Sequence, residues 1–279
     1  MKKRNLVLSV MATCLVSCFL LSGCNGQKQI DSETVKTVKV EEQAHLQDDT
    51  VSPTCQITID YSYLAKSDAA DSIVQRINRT IQAHILGKEY TRMNPEVAVD
   101  SFKNTYINNY RKDVNEFYQE DIKNGTPKDE LPTWYNYEYG LTTYFSEGKE
   151  GILNFIAETF EYTGGAHPNS WNKWMNFEKN TGKLLALKDV FMAGSEKPIS
   201  DMLLEELITE MATRLEDSSI TSLEGLQNAG ILNSTNMYVP DNFLLEKEKV
   251  SFLYNKYDIA PYAVGIITLS LPYTSVENI

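Results

Sequence analysis

The chain has 279 residues, 42% of them apolar and 23% charged, which suits a folded body rather than a disordered one. Lys and Arg number 26 against 38 Asp and Glu, a net charge of −12, which excludes a generally basic nucleic-acid binder. Three histidines and four cysteines leave too little material for a multi-metal centre or a disulfide scaffold.

Lys2, Lys3 and Arg4 open the chain, and an apolar run from Leu6 to Leu21 ends in Leu21-Ser22-Gly23-Cys24. A positive start, an apolar stretch and small residues before a cut site make residues 1–23 an export signal. Leu21-Ser22-Gly23-Cys24 resembles the bacterial lipobox. That resemblance implies cleavage before Cys24 and a lipid on its sulfur, hence attachment to a membrane. Cleavage removes 23 residues and three positive charges, leaving 256 residues at a net charge of −15. Cys14 and Cys18 leave with the signal, so Cys55 is left without a disulfide partner. Asn25, in place of an aspartate, points to an outer-membrane destination in a host with two membranes.

Residues 24–50 read as a polar tether, within which Val35, Val38 and Val40 open a first strand. From Cys55 to Tyr63 apolar and polar residues alternate, the period of a half-buried strand. Ser67 or Asp68 caps a helix whose Ile73, Ile77, Ile81 and Ile85 form one stripe. Asn94-Pro95 starts a second helix that buries Phe102, Tyr106, Tyr110, Val114, Phe117 and Ile122, and Gly125 and Pro127 end it. Residues 134–145 and 152–162 form a hairpin about the turn at 146–151. A glycine bend at 163–170 leads to a strand from Trp171 to Lys179 and a tight turn at 180–183. Ser195 begins a helix with Leu203, Leu204, Leu207, Ile208, Met211 and Leu215 on its apolar side. A short helix near 222–228 precedes strands at 243–245, 250–254 and 262–271. The fold expected is α+β, mainly antiparallel, with helices packed on one side.

Three segments carry a family resemblance: Tyr162-Thr-Gly-Gly-Ala-His-Pro-Asn169; Trp174 to Lys183 with Leu187-Lys-Asp-Val-Phe191; and Asn255 to Gly265 ending in Leu271-Pro-Tyr273. Their order and spacing resemble the RsiV-type extracellular domain, and the upstream half resembles the domain that precedes it in PdaC-type deacetylases. The division expected is a PdaC-like part at 51–150 and an RsiV-like part at 151–279. The resemblance implies a module outside the cytosol that binds lysozyme directly or accompanies a deacetylase acting on peptidoglycan. No cytoplasmic segment precedes the membrane signal, and no His-rich deacetylase motif is present, which leaves the binding module by itself as the expectation.

Within these motifs Gly164, Gly165, His167, Asn169 and Tyr262 are the candidate ligand-binding residues. Paired glycines free backbone N–H groups for an anion, and an imidazole such as that of His167 can serve as an acid or a base. The plainer reading is conformational: glycines supply positive φ and Pro168 fixes the bend. No two histidines stand at metal-ligand spacing, so neither metal nor cofactor is expected. Tyr135, Tyr137 and Tyr139 fall on one strand face, read first as core and second as a contact surface. The function expected is a lipid-anchored envelope module for a lysozyme-like cationic protein, drawn in by the acidic charge, or for cell-wall glycan. The alternative is a glycan hydrolase or esterase using His167 and carboxylates such as Glu158, Glu161, Asp189 and Asp258.

Overall fold

The computed structural model describes residues 34–65, 71–233 and 235–277. The export signal, the lipidation site Cys24 and the cap at Ser67 or Asp68 lie outside the described residues.

Strands β1 (Val35–His45) and β2 (Thr54–Leu64) form an antiparallel pair. The latter half of the segment read as a tether is thus an edge strand. Its sparse valines are only half-buried, and an edge strand asks for few apolar residues. Helices α1 (Asp71–Ile85) and α2 (Pro95–Lys123) follow, then β3 (Tyr137–Glu147), β4 (Ile152–Tyr162) and β5 (Asn169–Glu178). The five strands make one sheet in sequence order. Three pairs are antiparallel, but β2 and β3 run parallel, because the two-helix excursion returns the chain to the end of the sheet where β2 began.

The alternation read in β2 is the core. Cys55, Ile57, Ile59, Tyr61 and Tyr63 are all buried, beneath Ile77 and Ile81 of α1 and Tyr110 and Val114 of α2. Each such isoleucine contributes about 1.5–3 kcal/mol by leaving water. Phe117 is a correction: it is 53% exposed, and Tyr118 takes the buried place. Residues 110, 114 and 118 repeat at the interval that keeps one helix face, whereas 117 has turned off it onto the edge of Trp134 at 5.7 Å. Tyr135 precedes β3 in a single 3₁₀ turn. Tyr135 and Tyr139 are buried, and Tyr137 packs on Tyr110, so this tyrosine set is core. Leu153 and Phe155 of β4 and Met175 and Phe177 of β5 belong to the same core, although a division at 150/151 assigns them to the second part.

The second core lies among α3 (Leu187–Val190), α4 (Glu196–Arg214), α5 (Leu223–Asn228), the antiparallel sheet β6 (Phe243–Leu245), β7 (Lys249–Tyr254), β8 (Ile267–Pro272), and α6 (Tyr273–Val276). Ile199, Leu203, Leu207 and Met211 of α4 are buried there, and Leu215, just past its last turn, is exposed. Ser222 caps α5 by accepting from the Gly225 N–H at 3.2 Å. The strand read from 262 is broken: residues 262–264 form a 3₁₀ turn, and Gly265, at φ 81°, delays β8 to 267.

The two sheets meet along a seam of asparagine side chains. The Asn176 amide donates to Phe243 O (2.8 Å) and accepts from Leu245 N (2.7 Å). From the other side Asn242 accepts from Trp174 N (2.7 Å) and donates to Asn172 O (2.8 Å). Asn255 accepts from Asn172 N at 2.7 Å. A primary amide carries the donor and acceptor of a peptide group, so Asn242 and Asn255 satisfy the free edge of β5 and Asn176 that of β6.

Candidate functional site

Two features adjoin at this seam. The first is an aromatic cluster built by the glycine bend and the segment after β7. Gly164, at φ 86°, lies so close to the preceding turn that a Cβ there would sit 2.5 Å from Trp134 O. Its role is therefore conformational, and Gly165 stands open beside it. The bend presents His167, exposed, with its ring stacked on Tyr262 at 3.8 Å between centroids. His167 Nδ1 lies 3.2 Å from Pro168 O, and Nε2 lies 3.3 Å from Tyr257 Oη. A carbonyl only accepts, so in the neutral ring the proton sits on Nδ1 and Nε2 accepts from Tyr257. Tyr262 Oη donates to the same Pro168 carbonyl at 2.7 Å. Lys256 Nζ lies 4.3 Å over the Tyr262 ring and donates to Ser170 Oγ at 2.7 Å.

The structure thus brings His167 and Tyr262 into contact. Asn169 instead closes a local turn, accepting from Ser170 N at 2.9 Å. Tyr257 and Lys256 complete the cluster and were not singled out from the sequence, although both lie inside the Asn255–Gly265 motif. Tyr257 is 59% exposed and holds a left-handed φ of 72°, a costly backbone state for a bulky residue. Sequence carries no sign of that strain, since no glycine marks it.

The second feature is a cleft of about 350 Å³ on the seam itself. Trp171 and Tyr238 line it with Asp241 and Asp258, beside His84. The amides that tie the sheets together, Asn172, Asn242 and Asn255, form part of its wall. Asp258 is fixed by accepting from Asn255 N at 2.7 Å. The segment 255–258 therefore serves both features, with Asp258 toward the cleft and Tyr257 toward His167. Aromatic faces with a few fixed polar groups are the usual makings of a small-ligand seat.

His167 is not among the residues of this cleft, and Glu158 instead accepts from Tyr144 Oη at 3.3 Å. Glu161 accepts from Tyr106 Oη at 2.9 Å, and Asp189 pairs with Lys183 at 2.6 Å. The carboxylates named from sequence are thus spread over separate places, with Asp258 alone in the cleft. Among the described residues no group of three or more His, Cys, Asp or Glu could hold a metal ion. Cys55 is free, and burial pushes its thiol up to about 12, so it stays protonated and unreactive at neutral pH. Among the described residues no helix is long and apolar enough to cross a membrane.

Comparison with known proteins locates two family models on the chain. One, described as deacetylase PdaC, matches residues 50–170. The other, described as a protein of unknown function (DUF3298), matches residues 188–274. The motif segments at 162–169 and 174–183 precede the latter match. Among solved structures, the chain is similar to a member of the DUF3298 family from Bacteroides fragilis NCTC 9343, at 29% identity and a TM-score of 0.78. That likeness covers 88% of this chain and 92% of the other. It shares the fold of a DUF3298 family protein from Pseudomonas aeruginosa PAO1, at 16% identity and a TM-score of 0.57, over 89% of this chain and 95% of that one. No curated protein matches.

Proposed function

We propose that this chain is a binding module of the bacterial envelope, held to a membrane through lipid on Cys24, and that it takes cell-wall glycan in the cleft on the seam. The observation that carries the reading is that Trp171 and Tyr238 share one hollow with Asp241, Asp258 and the hydrogen-bonded asparagines of the seam. Sugar rings offer apolar faces to aromatic side chains and hydroxyls to planar polar groups. The RsiV-type motifs and the lipobox support a place outside the cytosol. The aromatic cluster of His167, Tyr257 and Tyr262 is joined to the cleft through the segment 255–258.

Calorimetry of the full chain with soluble peptidoglycan fragments tests the reading. Binding is expected, and Trp171→Ala should weaken it about tenfold or more with the fold unchanged by circular dichroism. Absence of binding, or binding indifferent to Trp171, overturns it. The acidic charge favours a second reading, in which a cationic protein such as lysozyme is the ligand. Lysozyme in place of the glycan, with affinity that falls steeply with salt, would select that reading. Metabolic labelling with palmitate tests the anchor: label should enter the parent chain and be lost in Cys24→Ala.

A further inference from the structure

A second hollow, of about 320 Å³, lies beside the first core where the end of β2, α1 and the start of α2 meet. Lys36 of β1, Arg79 of α1 and Arg92 of the turn before α2 all line it, so three separate elements bring cations to one place. Among its described lining residues the single carboxylate is Glu96, which accepts a short hydrogen bond from the Tyr63 hydroxyl. Neither the Arg79 nor the Arg92 side chain makes an ion pair or a hydrogen bond among the described residues. In a chain of net charge −12 this is a local reversal of sign.

The frame around the cations is fixed by buried amides. Asn78 donates to Leu64 O at 2.8 Å and accepts from Leu64 N at 3.0 Å, which pins β2 to α1. Gln82 donates to Tyr90 O at 3.0 Å and to Met93 O at 3.1 Å, which pins the turn carrying Arg92 to the same helix. Both amide side chains belong to buried residues. The backbone positions of Arg79 and Arg92 are therefore set before any ligand arrives, which lowers the ordering cost of binding.

We propose that this hollow binds a phosphoryl group. A guanidinium offers a planar fork of N–H donors that fits two phosphate oxygens, and two such forks with an ammonium can meet all the peripheral oxygens of a phosphate ester. The volume admits a phosphate with a small organic arm. Such a group can come from a soluble phosphate ester or from a phospholipid headgroup.

The test is calorimetry of the full chain in neutral detergent with three probes: inorganic phosphate, glycerol 3-phosphate, and dihexanoyl-phosphatidylglycerol kept below its micelle concentration. The double variant R79Q/R92Q should bind about tenfold or more weakly, since it removes two charge-assisted contacts. K197Q, which removes a cation of α4 at the second core, should bind like the parent. Circular dichroism and melting temperature check that each variant is folded. Binding of the two soluble phosphates assigns a soluble source, and binding of the lipid probe alone assigns the headgroup. Failure of all three probes at millimolar concentration, or equal binding by R79Q/R92Q, overturns the proposal.

Discussion

Gly164 and Gly165 are neighbours of identical chemistry with different duties. At Gly164 a methyl group would meet Trp134 O at 2.5 Å in a backbone state that L-residues rarely adopt, whereas at Gly165 the nearest atom is 3.9 Å away. Gly164→Ala should therefore cost about 1–3 kcal/mol in urea denaturation. Gly165→Ala should stay within about 0.5 kcal/mol. Asp49 has a comparable local duty. Its carboxylate accepts from Val51 N and Ser52 N in the turn between β1 and β2 and pairs with Lys128 at 2.8 Å. Chiefly through Lys128, its pKa falls from 3.8 to about 2. A depressed folded value stabilises fully above 3.8 and is lost as pH falls through the folded value. The amides of Val51 and Ser52 should thus lose exchange protection as pH falls from 4 toward 2, and Asp49→Asn should remove that step.

At the scale of elements, the joint between β5 and β6 is made by side chains where a sheet would use backbone. Asn176→Ala leaves Phe243 O and Leu245 N unpaired in a buried place. The expected loss is about 2–5 kcal/mol in chemical denaturation, well above the cost of removing an exposed asparagine. A loss under about 0.5 kcal/mol would mean that the seam is held elsewhere. The helices and strands themselves were largely readable. Pro95 at the first turn of α2, Ser222 before α5 and the alternation of β2 are local signals, and each marks its element where it was expected. Phe117 and the broken strand at Gly265 were misread for one reason. A pattern of apolar residues gives the type of an element, but not the small rotation or break that neighbouring chains impose.

For the whole molecule, the sequence by itself determined the α+β class, the apolar stripes that build both cores, and the motifs at 162–169 and 255–265. Those follow from periodicity and turn chemistry, which act over a few residues. Tertiary structure decided the parallel pairing of β2 with β3, the membership of β4 and β5 in the first core, and the asparagine seam. It also decided that Tyr262 should lie under His167, 95 positions away, and that Asp241 and Asp258 should face one cleft with Trp171. Lys36, Arg79 and Arg92 are unremarkable charges in one dimension, and they share a hollow only after α1 and α2 have packed on the sheet. Periodicity is a property of neighbours along the chain, whereas a site is a property of neighbours across it, and only the closing of long loops around a core brings those together.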